Sequence, residues 1–218
     1  MDVRMFTVGP VQENSFLIRR EGGDRALLVD PGEEAPKLLG ALEALGVTLD
    51  AILLTHTHFD HVGAVAPVAR ATGAPVYCPE LEVPVLQDIM AYVPWPGFGP
   101  FESWDPEHTV AGGETLALAG YDIDVLFTPG HSPGHVTYAL RDSDSDPVML
   151  FSGDVLFQQS VGRTDLPGGD HAVLLESIAS LLERYDDAAV VHPGHMGLTT
   201  LGRERASNPF LSEITQQS

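Results

Sequence analysis

The segment THTHFDH (55–61), directly after the apolar run AILLT (51–55), constrains the fold more than any other part of the chain. It places His56, His58, Asp60 and His61 within six positions. In an extended chain the side chains at i and i+2 point the same way, so His56 and His58 can grip one ion together. A turn into the next helix then carries Asp60 and His61 towards a neighbouring ion. Imidazole nitrogens with carboxylate oxygens are a donor set for zinc or iron, and a catalytic site leaves a position open for water. At this chain's own residue frequencies the pattern arises by accident on the order of once per thousand chains. Four donors do not complete two metal sites, so the remaining ligands must come from distant strand ends. Three segments offer them. TPGHSPGH (128–135) supplies His131, FSGDVLF (151–157) supplies Asp154, whose two oxygens can bridge two cations, and VHPGH (191–195) supplies His195. All four motifs run from an apolar strand through small residues or proline to a ligand type, which is how one sheet edge becomes a site. His135 and His192 lie beside these ligands and are expected to support them or to serve packing. His108 and His171 read as surface residues.

The elements between these motifs alternate. VRMFTVG, NSFLIRR and RALLVD have the composition and flanking turns of strands. Apolar residues recur at helical spacing from Glu33 to Leu45, with Gly46 placed to end the helix. AILLT then predicts a short buried strand, and His61 to Ala71 a helix with Pro67 as a fault inside it. A second β-rich half follows with TLALAG, YDIDVLF, VTYALR and PVMLF, then a helix near 172–184 and the strand AAVVH. The expected architecture is α/β, one domain over residues 1–218, made of two similar βα halves packed sheet against sheet with helices outside. Residues 92–105, YVPWPGFGPFESWD, hold both tryptophans and three prolines and must form a structured loop. That loop is read either as a lid lining a substrate pocket or as packing that pins a long connection.

Charge removes several classes. With 31 acidic against 11 basic residues the formal charge is −20, which repels phosphate backbones and anionic membranes, so neither nucleic acid nor membrane is expected as a partner. The single Cys78 excludes an intramolecular disulfide framework, and the start MDVRMFTVGP lacks an apolar signal region, so a cytoplasmic location is expected. Lys37 is the only lysine, leaving arginines to bind any anionic substrate group.

These motifs make the chain resemble the metallo-β-lactamase superfamily, and within it the short bacterial glyoxalase II-like (hydroxyacylglutathione hydrolase-like) enzymes. Beyond THTHFDH, the resemblance rests on GPVQENSFL, VDPG with Asp30, PGHSPGH, SGDVLF with SVGRTDLPGGD, HPGH and TTLGRERASNPFL, from about Phe6 to Leu211. It implies a four-layer αββα sandwich with metals at one edge. It also implies that His56, His58 and His131 hold one ion, that Asp60, His61 and His195 hold the other, and that Asp154 bridges. Asp30 and His135 are expected behind these ligands. The implied cofactors are two divalent transition-metal ions, zinc in first place with iron or manganese as alternatives.

Two cations sharing an oxygen make hydroxide available near neutral pH, so the implied reaction is attack of a metal-bridging hydroxide on a thioester such as S-lactoylglutathione. Asp60 would orient the nucleophile and accept its proton. A thiolate of pKa about 8.5 leaves without a strong general acid, whereas an amide needs one. Arg163, Arg203 and Arg205 are the candidates for a substrate carboxylate. At 218 residues the chain has little room for the helical domain that anchors glutathione in longer relatives of the type. The competing readings are a mononuclear-iron persulfide dioxygenase of the same superfamily, which shares a GRTD segment like Gly162–Asp165, and a metal-binding scaffold without turnover.

Overall fold

Successive residues of the second strand go to different cores, and that alternation generates the layers. In the computed structural model, which describes residues 1–212, the first sheet has the order β1 (Asp2–Val8), β2 (Glu13–Arg19), β3 (Arg25–Val29), β4 (Thr48–Leu53), β5 (Val76–Pro79), β6 (His108–Val110). Phe16 and Ile18 of β2, Leu27 and Val29 of β3, and Leu53 of β4 point to one face, while Leu17, Leu28 and Ile52 point to the other. Because strand side chains alternate with period two, a strand covered on both faces must be apolar throughout, as β2 and β3 nearly are.

The second sheet contains β7 (Thr115–Leu118), β8 (Tyr121–Phe127), β9 (Val136–Leu140) and β10 (Met149–Gly153). After the small hairpin β11 (Leu156–Phe157) and β12 (Ser160–Val161), β13 (Val190–Pro193) and β14 (Thr199–Thr200) complete it in the order β14-β13-β10-β9-β8-β7. Tyr121, Ile123, Val125, Val136, Tyr138 and Phe151 close the central core against the first sheet. Outside the first sheet lie α1 (Ala35–Leu45), α2 (Phe59–Val62) and α3 (Val65–Thr72), contributing Leu38, Leu42, Val62, Val65 and Val68 to its outer core. Short α4 (Val83–Gln87) and α5 (Ile89–Tyr92) follow β5. On the far side, α6 (His171–Arg184) and α7 (Leu201–Ser207) cover the second sheet through Leu174, Ile178, Leu181 and Leu201. The result is the four-layer αββα sandwich. Residues 213–218 of the expected domain lie outside the described residues.

Two local expectations need correction. The helix foreseen from Glu33 starts at Ala35, because Glu34 sits at φ 54 as its N-cap and Pro36 occupies the first turn, where no amide hydrogen is required. It ends at Gly46 (φ 63), whose amide donates to Glu43 O while Val47 N reaches Leu42 O, as expected of a left-handed glycine terminator. The helix foreseen over His61–Ala71 is instead α2 and α3, separated at Gly63 and Ala64. Pro67 is the third residue of α3, so its missing donor falls in a first turn and breaks no ladder bond. The strands VYCP and HTV and the short helices were not foreseen. They are three to seven residues long, too short for periodicity to speak.

Strands β3, β4, β5 and β6 run parallel, as do β10 and β13. Parallel neighbours end on the same side, so the segments leaving β3, β4, β10 and β13 meet at one edge. No helix of the described residues is long and apolar enough to cross a membrane.

Candidate metal centre

At that edge the ring nitrogens converge. His56 Nε2 lies 3.1 Å from His58 Nδ1, and His58 Nδ1 lies 2.8 Å from His131 Nε2. Next to this trio, His61 Nε2 stands 3.4 Å from Asp154 Oδ1 and 3.9 Å from Asp60 Oδ2, and His195 Nε2 stands 3.2 Å from Asp60 Oδ2 and 3.5 Å from Asp154 Oδ2. Asp154 Oδ2 is also 3.5 Å from His131 Nε2. Its carboxylate therefore lies between two groups of donors, His56, His58 and His131 on one side and Asp60, His61 and His195 on the other.

The outer nitrogens explain why the inner ones are free. Thr55 Oγ1 gives its hydrogen to Asp30 Oδ2 at 2.6 Å, so it can only accept from His56 Nδ1 at 3.1 Å. His61 Nδ1 donates to Asp30 Oδ2 (3.0 Å), His131 Nδ1 to the Arg163 carbonyl (2.7 Å) and His195 Nδ1 to the Gln12 carbonyl (3.2 Å). Each bond fixes a tautomer whose Nε2 lone pair faces the centre, the arrangement by which outer partners orient metal-ligating histidines. His61 Nε2 and Asp154 Oδ1 are buried with no hydrogen-bond partner. Orphaned buried atoms of this kind cost free energy unless something binds them, and a cation fits a lone pair beside a carboxylate oxygen. The site's residues thus suit a divalent metal.

Electrostatics agree with the geometry. Burial, reinforced by the neighbouring imidazoles, pushes His56 well below the ordinary histidine value and His58 down to about 3, leaving both neutral. Burial alone would raise the Asp154 carboxyl, but facing His61, His195 and His131, when protonated, outweigh it and hold Asp154 well below the usual range. The same carboxylates raise His61 well above and His195 above the ordinary histidine value, so a proton and a cation compete for these inward nitrogens. Asp60 is likewise lowered by His61 and His195 against the effect of burial.

The supporting shell is dense. Asp30, at φ 47, accepts from Thr55 N (2.7 Å), Thr55 Oγ1 and His61 Nδ1, so its carboxylate is already occupied and it positions rather than ligates. His135 Nε2 accepts from the Asp154 amide at 3.1 Å, and its Nδ1 bonds Thr128 Oγ1. His192 stacks on Phe151 and meets Phe16 edge-on, away from the centre, so its role is packing. A Cβ on Gly194 would collide with the Asp154 carboxylate and the His61 ring, so only glycine lets the His195 loop close over the site.

Two supports went unread in the sequence. Glu82, 3% exposed, accepts from Thr57 Oγ1 (2.8 Å), Ser132 Oγ (2.8 Å) and Gly134 N (2.7 Å), tying the His56–His58 segment to the His131 loop. Asn14 donates to the carbonyls of Pro193 and Met196 and brackets His195. Neither lies beside a ligand in sequence. The flanking threonine and serine hydroxyls of THTH and GHSPG are the only hint that an acceptor is needed.

The centre opens into a cavity of about 580 Å³. Arg163 lines it, paired with Asp165 through two bonds of 2.7 and 2.8 Å. Arg203 and Arg205 do not line it. Arg203 is exposed on α7, and Arg205 is bound to Asp187 and the Leu182 carbonyl. His108 and His171 are exposed, in β6 and at the start of α6. Within residues 92–105, Phe98, Phe101 and Trp104 pack on the outer core, as the packing reading expects, while Tyr92 to Trp95 lie beside the centre, where Tyr92, Pro94 and Trp95 line the cavity. A larger depression of about 800 Å³, reached by Arg20, Asp142 and Arg184, contains none of the converging donors.

A sequence profile described as the metallo-beta-lactamase superfamily matches residues 8–195. The probable metallo-hydrolase YqgX of Bacillus subtilis is 38% identical over 217 residues, covering 97% of this chain and 98% of that protein. The hydroxyacylglutathione hydrolase GloC of Haemophilus influenzae is 34% identical over 214 residues, covering 97% and 99%. Among solved structures, BLEG-1 B3 metallo-beta-lactamase superposes with a TM-score of 0.88 at 39% identity over 97% of this chain and all of that one. TTHA1623, solved in a di-iron-bound form, superposes at 0.81 with 43% identity over 95% and 100%.

Proposed function

The chain belongs to the metallo-beta-lactamase superfamily, and from that premise we propose that it is a binuclear metallohydrolase that cleaves a thioester. The observation carrying this reading is the set of five inward-facing nitrogens, four of them fixed from behind, gathered around the Asp154 carboxylate. On this reading His56, His58 and His131 hold one divalent ion, Asp60, His61 and His195 the other, and Asp154 is shared. Zinc is the first choice; the di-iron form of TTHA1623 supports iron as an alternative. Such ions supply a water ionised near neutral pH and an electrophilic contact for a carbonyl oxygen.

The protein's own groups do the rest. Asp60, whose carboxylate oxygen lies 3.2 Å from His195 Nε2, orients the attacking water and accepts its proton at a carboxylate oxygen. The new C–O bond forms as the C–S bond breaks, and the electron pair leaves on sulfur. A thiolate of pKa about 8.5 needs no strong acid to depart. The cavity matches that requirement: Glu82 is engaged by three donors and Arg163 by Asp165. Hydrolysis of a β-lactam amide is the second reading, favoured by the likeness to BLEG-1. It requires a proton on the departing nitrogen, which Asp60 would have to pass on from the attacking water, a transfer that the thiolate does not need. The named activity of GloC supports the thioester. The partner is then a small molecule, acted on in the cytoplasm.

Metal quantification coupled to a panel of S-lactoylglutathione, simpler thioesters and a chromogenic β-lactam tests the proposal. Two metals per chain with thioester turnover is the expected result. One iron with oxygen consumption on glutathione persulfide would replace it with the dioxygenase, and bound metal without turnover on any substrate would leave a scaffold.

A further inference from the structure

Among the described residues nine large hydrophobic side chains are exposed, and four of them, Leu81, Tyr92, Trp95 and Met196, line the single cavity above the metal centre. Scattered apolar side chains are ordinary on a protein surface, but a group of them around one concave site marks a binding surface. Deeper in, Val85, Phe157 and Val161 continue the apolar wall. Phe59, in the middle of THTHFDH, meets Trp95 edge-on at 6.3 Å and Phe98 at 4.8 Å, so the aromatic loop is anchored beside the ligands rather than free of them.

The wall offers little to an anion. Arg163 is the only lysine or arginine among the described residues lining the cavity. Its guanidinium is held in a fork by the exposed Asp165 and lies 5.4 Å from the Trp95 ring, so a substrate carboxylate would have to displace Asp165 to engage it. A glutathione thioester brings two carboxylates and an ammonium, and would find among these residues one arginine, already shared with Asp165. Groups that match an apolar wall gain by leaving water, roughly fourfold in affinity per fully buried methylene.

We propose that the substrate is an acyl thioester with a hydrocarbon or aromatic acyl chain on an uncharged thiol arm, selected by Trp95, Leu81 and their neighbours. This rests on the thioester reading of the same centre and assigns its selectivity. The metal-loaded protein is assayed with the acetyl and hexanoyl thioesters of N-acetylcysteamine and with S-lactoylglutathione. The expected kcat/KM for the hexanoyl compound exceeds each of the other two by tenfold or more. In Trp95→Ala, and in Leu81→Ser as an exposed second variant, the hexanoyl-to-acetyl ratio falls at least threefold with metal content retained. A preference for S-lactoylglutathione, or a hexanoyl-to-acetyl ratio within twofold of one, overturns the proposal. A binding arm separates it from the reaction: the uncleavable hexyl thioether of N-acetylcysteamine should quench tryptophan fluorescence saturably in the protein and not in Trp95→Phe. If none of the three thioesters is hydrolysed, the thioester reading falls while saturable quenching still supports an apolar ligand; no saturable quenching overturns the apolar site itself.

Discussion

At the residue scale, Asp154 and His192 show how two superficially similar polar residues divide between chemistry and packing. Asp154 faces His61, His131 and His195 within 3.5 Å and has a buried oxygen with no hydrogen bond, which leaves a place for a cation. Asp154→Ala should cost both metals their shared ligand. Metal analysis should show loss of stoichiometry, and thioester kcat should fall at least about 100-fold, beyond the 10–100-fold usual for outer partners. Unchanged hydrolysis would sink the mechanism. His192 is pushed by burial down to about 4 from an ordinary 6.5. Above 6.5 folded and unfolded chains are both neutral there. As pH falls towards 4 only the unfolded chain takes up the proton, so stability is lost across that window, by up to about 3 kcal/mol. His192→Phe, which keeps a ring between Phe16 and Phe151, should flatten that part of the pH dependence. Urea midpoints of both proteins at pH 7 and pH 4.5 measure the difference, and parallel losses would contradict the assignment.

At the scale of elements, the sequence was legible where residue type carries the chemistry and illegible where backbone geometry brings support from afar. THTHFDH, GHSPGH, SGD and HPGH could be read as strand-end loops because apolar runs precede them and small residues give the chain room to turn. Glu82 could not, since its carboxylate reaches Thr57 and Ser132 across separations of 25 and 50 residues. The division of the helix at Gly63 was hidden because the apolar spacing continues across the break. Glu82 yields a direct test of how the two loops are held together. Glu82→Gln cannot accept from Gly134 N, Ser132 Oγ and Thr57 Oγ1 together without turning its amide hydrogens on one of them. Metal affinity should weaken about tenfold, read by competition with a chelator, and stability should fall by about 1–3 kcal/mol. Full affinity in a destabilised variant would make Glu82 a purely structural tie.

At the scale of the whole molecule, the layers follow from strands such as β2 and β3 being buried on both faces, whereas the sequence shows the sheet-on-sheet arrangement through its order of β-rich and helical segments, twice repeated. The similarity of the halves was readable only coarsely. The first sheet carries three parallel pairings and the second only β10 with β13, a difference set by crossover connections that composition does not encode. Both halves deliver ligands to one edge, so the metal centre clamps the sheets together. A ligand bound only by the folded state stabilises it, and chelation should lower the melting temperature by about 2–4 °C for each kcal/mol of binding lost. An unchanged melting temperature after complete metal removal would show that the sandwich closes without the centre.

The central claim is that two ions at this edge drive hydrolysis of a thioester, and titration of the metal-free protein with zinc while following thioester hydrolysis tests it most directly. Activity should rise to a plateau at two equivalents per chain. A plateau at one equivalent, or no hydrolysis at any loading, would contradict it.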